Sequence, residues 1–304
     1  QRQMCIRDRI MCQMKKFTII IPHHNIPNLL ERCLRSIPKR DDLQVIVIDD
    51  NSDPEKVDFE NFPGLHEEHV EVIFTKEGKG AGYARNVGIA QANSKWLLFA
   101  DADDLYSEGF NEFLDKYGDT DADVVYFANI NVDARTMKPV EGGIQISEMI
   151  QICMETGNFD LLRYKSDTPW SKMVRMSVIK KYSICYHEIP AGNDVWFSSN
   201  VGYYAQHIKL CDKPIYIYTM RNGSIQHTPN KENLLARIHE AYVMNNFLRN
   251  IDKLEFYAES WPAFLNLRKV SVWLFAKEII PYFIKTPKFV LWKHIKYSFK
   301  KYFK

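Results

Sequence analysis

Three carboxylates fall within four positions where "WLLFADADDLYS", residues 96–107, leaves its apolar run: Asp101, Asp103 and Asp104. Like charges at that spacing repel, and taking them out of water is costly unless a cation or hydrogen bonds compensate. Two readings are open from these residues. One is a solvated turn whose acids cap the next helix. The other is a divalent-cation site at the end of a buried strand. Two further acid-based chemistries fit poorly. An EF-hand loop counted from Asp101 puts Glu112 at its twelfth position, but Leu105 and Tyr106 occupy the fifth and sixth, where an oxygen ligand and a glycine belong. A phosphatase with an aspartate nucleophile carries Thr or Val where Leu105 stands.

"GKGAGYARNVG", residues 78–88, is rich in glycine but is neither G-x-G-x-x-G nor a P-loop. Gly80 and Gly82 suit a tight turn before a helix. Arg85 and Asn86 follow, and a cation at that place would face an anionic ligand. Further on, Asp194 in "GNDVWF" is either a helix N-cap or a proton acceptor. His227 in "SIQHTPN" is a loop histidine, and Arg221 a nearby cation.

These residues need elements to hold them. "KFTIIIP" and "LQVIVIDD" read as buried strands, "HVEVIFT" as an alternating third and "KWLLFA" as a fourth, with helices over 27–37 and 83–92 between them. A helix at about 107–117 and a strand at 122–130 follow. Strands alternating with helices predict a mostly parallel, doubly wound α/β sheet, which binds ligands beyond the carboxyl ends of its strands. Three strand ends here, "PHHN", "DDNSD" and "DADD", are polar or acidic and converge there. Later, 169–182 reads as turn, short strand and helix, 192–205 as a helix, and 207–211 and 214–219 as two short strands.

The ordered set "TIIIPHHN", "VIVIDDNSD", "GAGYARNVGIA", "LLFADADD", "PWSKMVR" and "GNDVWF" resembles the family 2 glycosyltransferases of GT-A fold, over roughly residues 16–225. The resemblance implies that Pro22 and His24 lie near the nucleoside and that Asp50 binds the base. It implies that Asp101 and Asp103 hold the ribose and a Mn²⁺ or Mg²⁺ ion on a diphosphate, with Asp104 contributing or only capping a helix. Arg85 and Asn86 would face the donor, and Trp170 and Lys172 would lie beside donor or acceptor, with Trp170 as plain core the alternative. His227 would reach the metal or the diphosphate. The family has Glu-Asp at the head of its acceptor helix; here Asn193-Asp194 stands there, so Asp194 would be the base and the contact of the first acid is lost. The implied activity is inverting, metal-dependent transfer of a hexose-type sugar from a nucleotide-diphosphate sugar, a UDP-sugar, to a hydroxyl of a glycan or lipid-linked glycan acceptor. A catalytically silent GT-A module that binds a sugar nucleotide is the alternative. A nucleotidyltransferase would carry a Gly-rich basic loop after the first strand, and "PHHNIPN" is not one.

The chain has 304 residues, 46% of them hydrophobic, and a net charge of +2, so bulk charge does not point to nucleic acid. Six cysteines lie apart, with no C-x-x-C pair, which suggests a reduced intracellular protein. Residues 1–13 lead poorly into the first strand and read as a non-native or disordered leader, 14–228 as the GT-A domain and 229–304 as a helical, basic and aromatic extension. Residues 285–304 hold seven lysines and no acid, interleaved with Trp and Phe. That pattern predicts a peripheral attachment to the inner face of the cell membrane, or else a helix packed on the catalytic domain with a solvated lysine face.

Overall fold

Runs of β-branched and aromatic residues with no polar alternation must be covered on both faces, and the first half of the chain has three, with a fourth run, Val70–Thr75, that alternates and is only half-buried. In the structure, a computed structural model that describes residues 14–221 and 230–292, they form β1 (Lys15–His23), β2 (Leu43–Asp50), β3 (Val70–Thr75) and β4 (Ser94–Phe99). All pair in parallel in the order β3–β2–β1–β4, with Ile21 opposite Val47 and Ile20 opposite Phe99. Ile19–Ile21, Val45–Ile48 and Leu97–Phe99 are fully buried.

Helix α1 (Pro27–Arg35) connects β1 to β2, starts on Pro27, and buries Leu30, Cys33 and Leu34. Helix α2 (Ala81–Gln91) connects β3 to β4. Gly88 lets it lie close on the sheet: a Cβ there would come within 2.5 Å of the Ile20 side chain and 2.9 Å of that of Ile48.

The rest of the sheet is mixed. It is built from β5 (Leu105–Tyr106), β6 (Val124–Asp133), β7 (Lys172–Arg175) and β8 (Ile208–Met220), in the overall order β3–β2–β1–β4–β7–β6–β8–β5. Strand β7 runs antiparallel to β4 and β6, β6 and β8 are parallel, and β5 is antiparallel to β8. Between them lie α3 (Phe110–Tyr117), α4 (Ile146–Thr156), α5 (Asp160–Lys165), α6 (Met176–Tyr182) and α7 (Asn193–Tyr204).

Three expectations change. The two short strands expected at 207–211 and 214–219 are one strand, β8. Its pairing slips between Phe127↔Cys211 and Ala128↔Pro214, a bulge that accommodates a proline with no N–H to give the ladder. Helix α3 starts three residues later than expected, because Ser107 and Gly109 form the preceding turn. Helices α4 and α5 and strand β5 had no clear periodic signal.

The described residues form two compact units, one of residues 14–188 and 197–221, the other of 189–196 and 230–292. The second unit holds α8 (Lys231–Asn250), a 3-10 turn, α9 (Trp261–Val270) and α10 (Val272–Lys285). Asn230 and Ser271 cap α8 and α10 with their side chains. Its own core is Leu234, Ile238, Tyr242, Phe264, Leu267 and Tyr282. Among the described residues no helix is long and apolar enough to cross a membrane. The expected leader, His227 and the last lysines from Lys293 lie outside the described residues.

Candidate active site

Parallel strands bring their carboxyl ends to one edge, and here the ends of β1, β2 and β4 are neighbours there. At the first corner, His23 and Asp49 are both buried. The His23 Nε2 accepts from the Ile26 N–H at 3.1 Å, so its Nδ1–H donates to Asp49 at 2.7 Å. Ser52 donates to the same carboxylate from its main chain (3.0 Å) and its hydroxyl (2.5 Å). Burial pushes the Asp49 carboxyl upward, but the His23 and Ser52 hydrogen bonds outweigh it and hold the group below the usual carboxylate range.

His24 is exposed; its Nδ1–H donates to the Asp50 carbonyl at 3.0 Å. Pro22 is half-buried, opposite Ile48. The Asp50 carboxylate accepts from the main-chain N–H groups of Lys79 (3.3 Å) and Gly80 (2.5 Å), and from the Thr75 hydroxyl (3.2 Å). Gly80 has φ of +89°, a conformation that favours glycine, and it opens α2. Asp50 therefore ties the glycine-rich loop to the end of β2.

The acidic turn after β4 is clamped from both sides. From α1, Arg32 donates to the Asp103 carbonyl (2.7 Å), and the Cys33 thiol lies 3.7 Å from the Asp101 carbonyl. From β8, Thr219 donates its hydroxyl to the Asp103 carbonyl (2.6 Å) and its N–H to the Asp104 carboxylate (2.7 Å). The Tyr216 hydroxyl donates to Asp104 (3.0 Å) and accepts from the Asp101 N–H (2.9 Å). Asp104 is thus buried and anchored to β8, and it caps no helix; the residue at the head of α3 is Gly109. Burial, then the charges of Asp103 and Asp101, push its carboxyl well above the usual range.

Asp101 and Asp103 differ from Asp104 in keeping part of their side chains open to solvent, 31% and 20%. Each is paired with an arginine: Arg85 to Asp101 at 2.7 Å and Arg221 to Asp103 at 2.6 Å. These pairs offset the repulsion that the spacing creates. Arg85 is buried and also lies over the Tyr186 ring. Its neighbour Asn86 engages the chain at Tyr186, giving Nδ2–H to the carbonyl (3.0 Å) and accepting the N–H (2.8 Å), and it touches Glu188 as well (3.2 Å).

Trp170 and Lys172 are both enclosed. Trp170 stacks on Tyr216 with centroids 4.4 Å apart, which makes it core backing the acidic turn, and Lys172 donates to the Ser166 carbonyl at 2.9 Å. Asp194 sits half-buried in the first turn of α7, in the second unit, where Asn193 donates to the Ile189 carbonyl at 3.3 Å.

Among the described residues no three His, Cys, Asp or Glu side chains converge as a metal centre. With Asp104 held by β8, the turn offers the carboxylates of Asp101 and Asp103. Mg²⁺ is commonly held by one or two carboxylates, with substrate phosphates and water completing its shell. The residues fit a cation that arrives with a diphosphate and do not form a protein-only cage.

The family model of glycosyl transferase family 2 matches residues 18–182. An uncharacterized glycosyltransferase of Bacillus subtilis, EpsJ, is 22% identical over 74% of this chain and 67% of its own length. The poly(ribitol-phosphate) beta-N-acetylglucosaminyltransferase TarS of Staphylococcus aureus is 25% identical over 81% of this chain and 44% of its own. Among solved structures, that of S. aureus TarS residues 1–349 in complex with UDP-GlcNAc matches with a TM-score of 0.59 at 21% identity, covering 84% of this chain and 71% of that one. A mannosyltransferase from Pyrobaculum calidifontis in complex with GDP-Man and Mn²⁺ matches with a TM-score of 0.51 at 14% identity, covering 84% and 68%. Likeness at such identity speaks to the fold. Together with the match over more than half of the sequence, it shows that the chain belongs to glycosyl transferase family 2 and has the GT-A fold.

Proposed function

We propose that this chain transfers a hexose-type sugar from a nucleotide-diphosphate donor, a UDP-sugar, to a hydroxyl of a glycan or lipid-linked glycan, with inversion at the anomeric carbon. The observation that carries the reading is the division of labour in the acidic turn: Asp104 is buried as an anchor, while Asp101 and Asp103 remain partly open at the carboxyl end of β4. The donor complexes of TarS and of the P. calidifontis enzyme support a nucleotide sugar, and the Mn²⁺ in the latter supports a cation.

Pro22, His24 and Asp50 then flank the nucleoside, with Asn86 supporting the donor side. Asp101 and Asp103 would hold Mn²⁺ or Mg²⁺, which neutralises charge on the departing diphosphate when bound. Arg85, fixed by Asp101, adds a guanidinium on the donor side. Asp194 accepts the proton of the attacking hydroxyl. His227 is a further candidate for the cation or the diphosphate. The enzyme works peripherally at the inner face of the cell membrane, where a lipid-linked acceptor would be presented.

Asn193, an amide where the family has an acid, favours a second reading: a module that binds the donor without turning it over. A panel of nucleotide sugars with Mn²⁺ and a broad acceptor panel, read as release of nucleoside diphosphate, decides between them. Turnover of one donor supports the enzyme. Donor binding with no turnover across the panel supports the module.

A further inference from the structure

Helix α10 carries an apolar face that nothing in the described chain covers. At 100° per residue, Val272, Trp273, Ala276, Ile280, Phe283 and Ile284 fall on one side of it. Val272 is exposed at 71%, Trp273 at 69%, Ile280 at 69% and Ile284 at 76%. The opposite side is where the unit's core lies, with Tyr282 buried and Phe275 and Ile279 packed against it. Trp292 and Phe289, just beyond the helix, are exposed as well.

The charges in this stretch of the sequence are mostly of one sign. Residues 261–292 contain five lysines and arginines and a single acid, Glu278. That acid is buried and hydrogen-bonded to His239 at 3.2 Å, so it presents no negative charge beside the apolar stripe. Lys277 lies over the Trp273 ring, and Arg268, Lys269, Lys285 and Lys288 are exposed on the same helices and the turn after them. A helix of 14 residues, about 21 Å long, is too short to span a bilayer but suits a position in its interface plane.

We propose that the Val272–Ile284 face of α10 is the surface by which this chain lies on an anionic lipid bilayer, its apolar residues entering the headgroup boundary and the flanking lysines facing lipid phosphate. This deepens the peripheral location proposed above and puts the apolar contact upstream of the terminal lysines.

The test uses the full chain and unilamellar vesicles, either phosphatidylcholine alone or with phosphatidylglycerol, in a sedimentation assay at low and high salt. The variant is Ile280→Ser/Ile284→Ser. Both side chains are exposed, so the melting temperature should stay unchanged. The expected result is partition onto phosphatidylglycerol vesicles that weakens with salt and falls about tenfold or more in the variant. Lys277→Glu should weaken binding to anionic vesicles further than to neutral ones. Absence of binding to anionic vesicles overturns the proposal, as does binding that the double variant leaves unchanged. A dimer in solution that the double variant dissociates, without vesicle binding, gives the face to a second copy and also overturns it. Sugar transfer to a soluble acceptor, measured without vesicles, reports on the catalytic reading separately: its failure with vesicle binding intact sinks that reading and leaves this one standing.

Discussion

The hydroxyl of Tyr216 joins the main chain of Asp101 to the side chain of Asp104, accepting from one at 2.9 Å and donating to the other at 3.0 Å. A strand more than a hundred residues later in the chain thereby sets the shape of the acidic turn. Tyr216→Phe keeps the ring stacked on Trp170 but leaves a buried carboxyl oxygen and a main-chain N–H without this partner. The cost should be about 1–3 kcal/mol. Cation-dependent donor affinity should fall with it, since the turn is what presents Asp101 and Asp103. Calorimetric melting and UDP titration with Mn²⁺ measure both; a variant unchanged in each would remove Tyr216 from this role.

The neighbouring aspartates should respond in opposite ways. Asp103→Asn weakens the pairing with Arg221 and should abolish Mn²⁺-dependent gain in UDP affinity while the fold stays intact, because the side chain is partly solvated at a strand end. Asp104→Asn should leave that gain in place, because the amide oxygen still accepts from Thr219, at a stability cost of about 1–3 kcal/mol for the Tyr216 hydroxyl that loses its acceptor. Isothermal titration of both variants checks the assignment. Equal loss in the two would mean that the turn works as a unit and that the roles are not divided.

Much of this arrangement could be read from the residues themselves. Strands β1, β2 and β4 were legible because each is buried on both faces, which forces an uninterrupted apolar run ending at the functional edge. Strand β8 was not, because its bulge at Pro214 breaks the run into two pieces that only the pairing with β6 joins. The place of Asp101 and Asp103 at the end of β4 was legible from the apolar run before them. Their braces, Cys33 and Thr219, were not, since they act from 68 and 116 residues away through contacts that leave no local pattern. Asp104 shows the limit best. An acid before a predicted helix suggests a cap, and only the approach of β8 reveals that it anchors a strand instead.

Gly88 makes a packing prediction. Alanine is the better helix former by about 1 kcal/mol, so Gly88→Ala would stabilise an isolated α2. In the protein the added methyl meets Ile20 at 2.5 Å and Ile48 at 2.9 Å. Overpacking of this kind typically costs about 1–3 kcal/mol, so it should outweigh the propensity gain. Lifting α2 would also move Arg85 relative to Asp101. Denaturant unfolding should show a net loss of stability; a gain would mean that the helix can shift freely.

The His23–Asp49–Ser52 corner predicts a pH dependence. Asp49 is held below its unfolded value, so its contribution is present above the ordinary carboxylate pKa of about 3.9 and is lost as pH falls through the lower folded value. Asp49→Asn should be destabilised by about 2 kcal/mol near neutrality, where one of the hydrogen bonds from His23 and Ser52 must break. The gap between parent and variant should narrow below about pH 4. Melting curves across that range test the sign, and a gap that stays constant into acid would show that the carboxylate's charge contributes nothing.

The sharpest prediction separates an enzyme from a binding module. Asp194→Asn keeps the size of the side chain, which sits in the first turn of α7, just after the helix begins at Asn193. It cannot take a proton from an attacking hydroxyl. Loss of a positioned base typically lowers the rate by about 10²–10⁴. If Asp194 is that base, kcat should collapse while the melting temperature and UDP affinity remain those of the parent, since its role would be toward the acceptor and not the nucleotide. Asn193→Glu, which restores the acid found in the family, is the companion experiment: it should leave kcat within an order of magnitude and act on KM for the acceptor. Near-normal turnover in Asp194→Asn would leave the residue without a catalytic role, and the proton would need another acceptor.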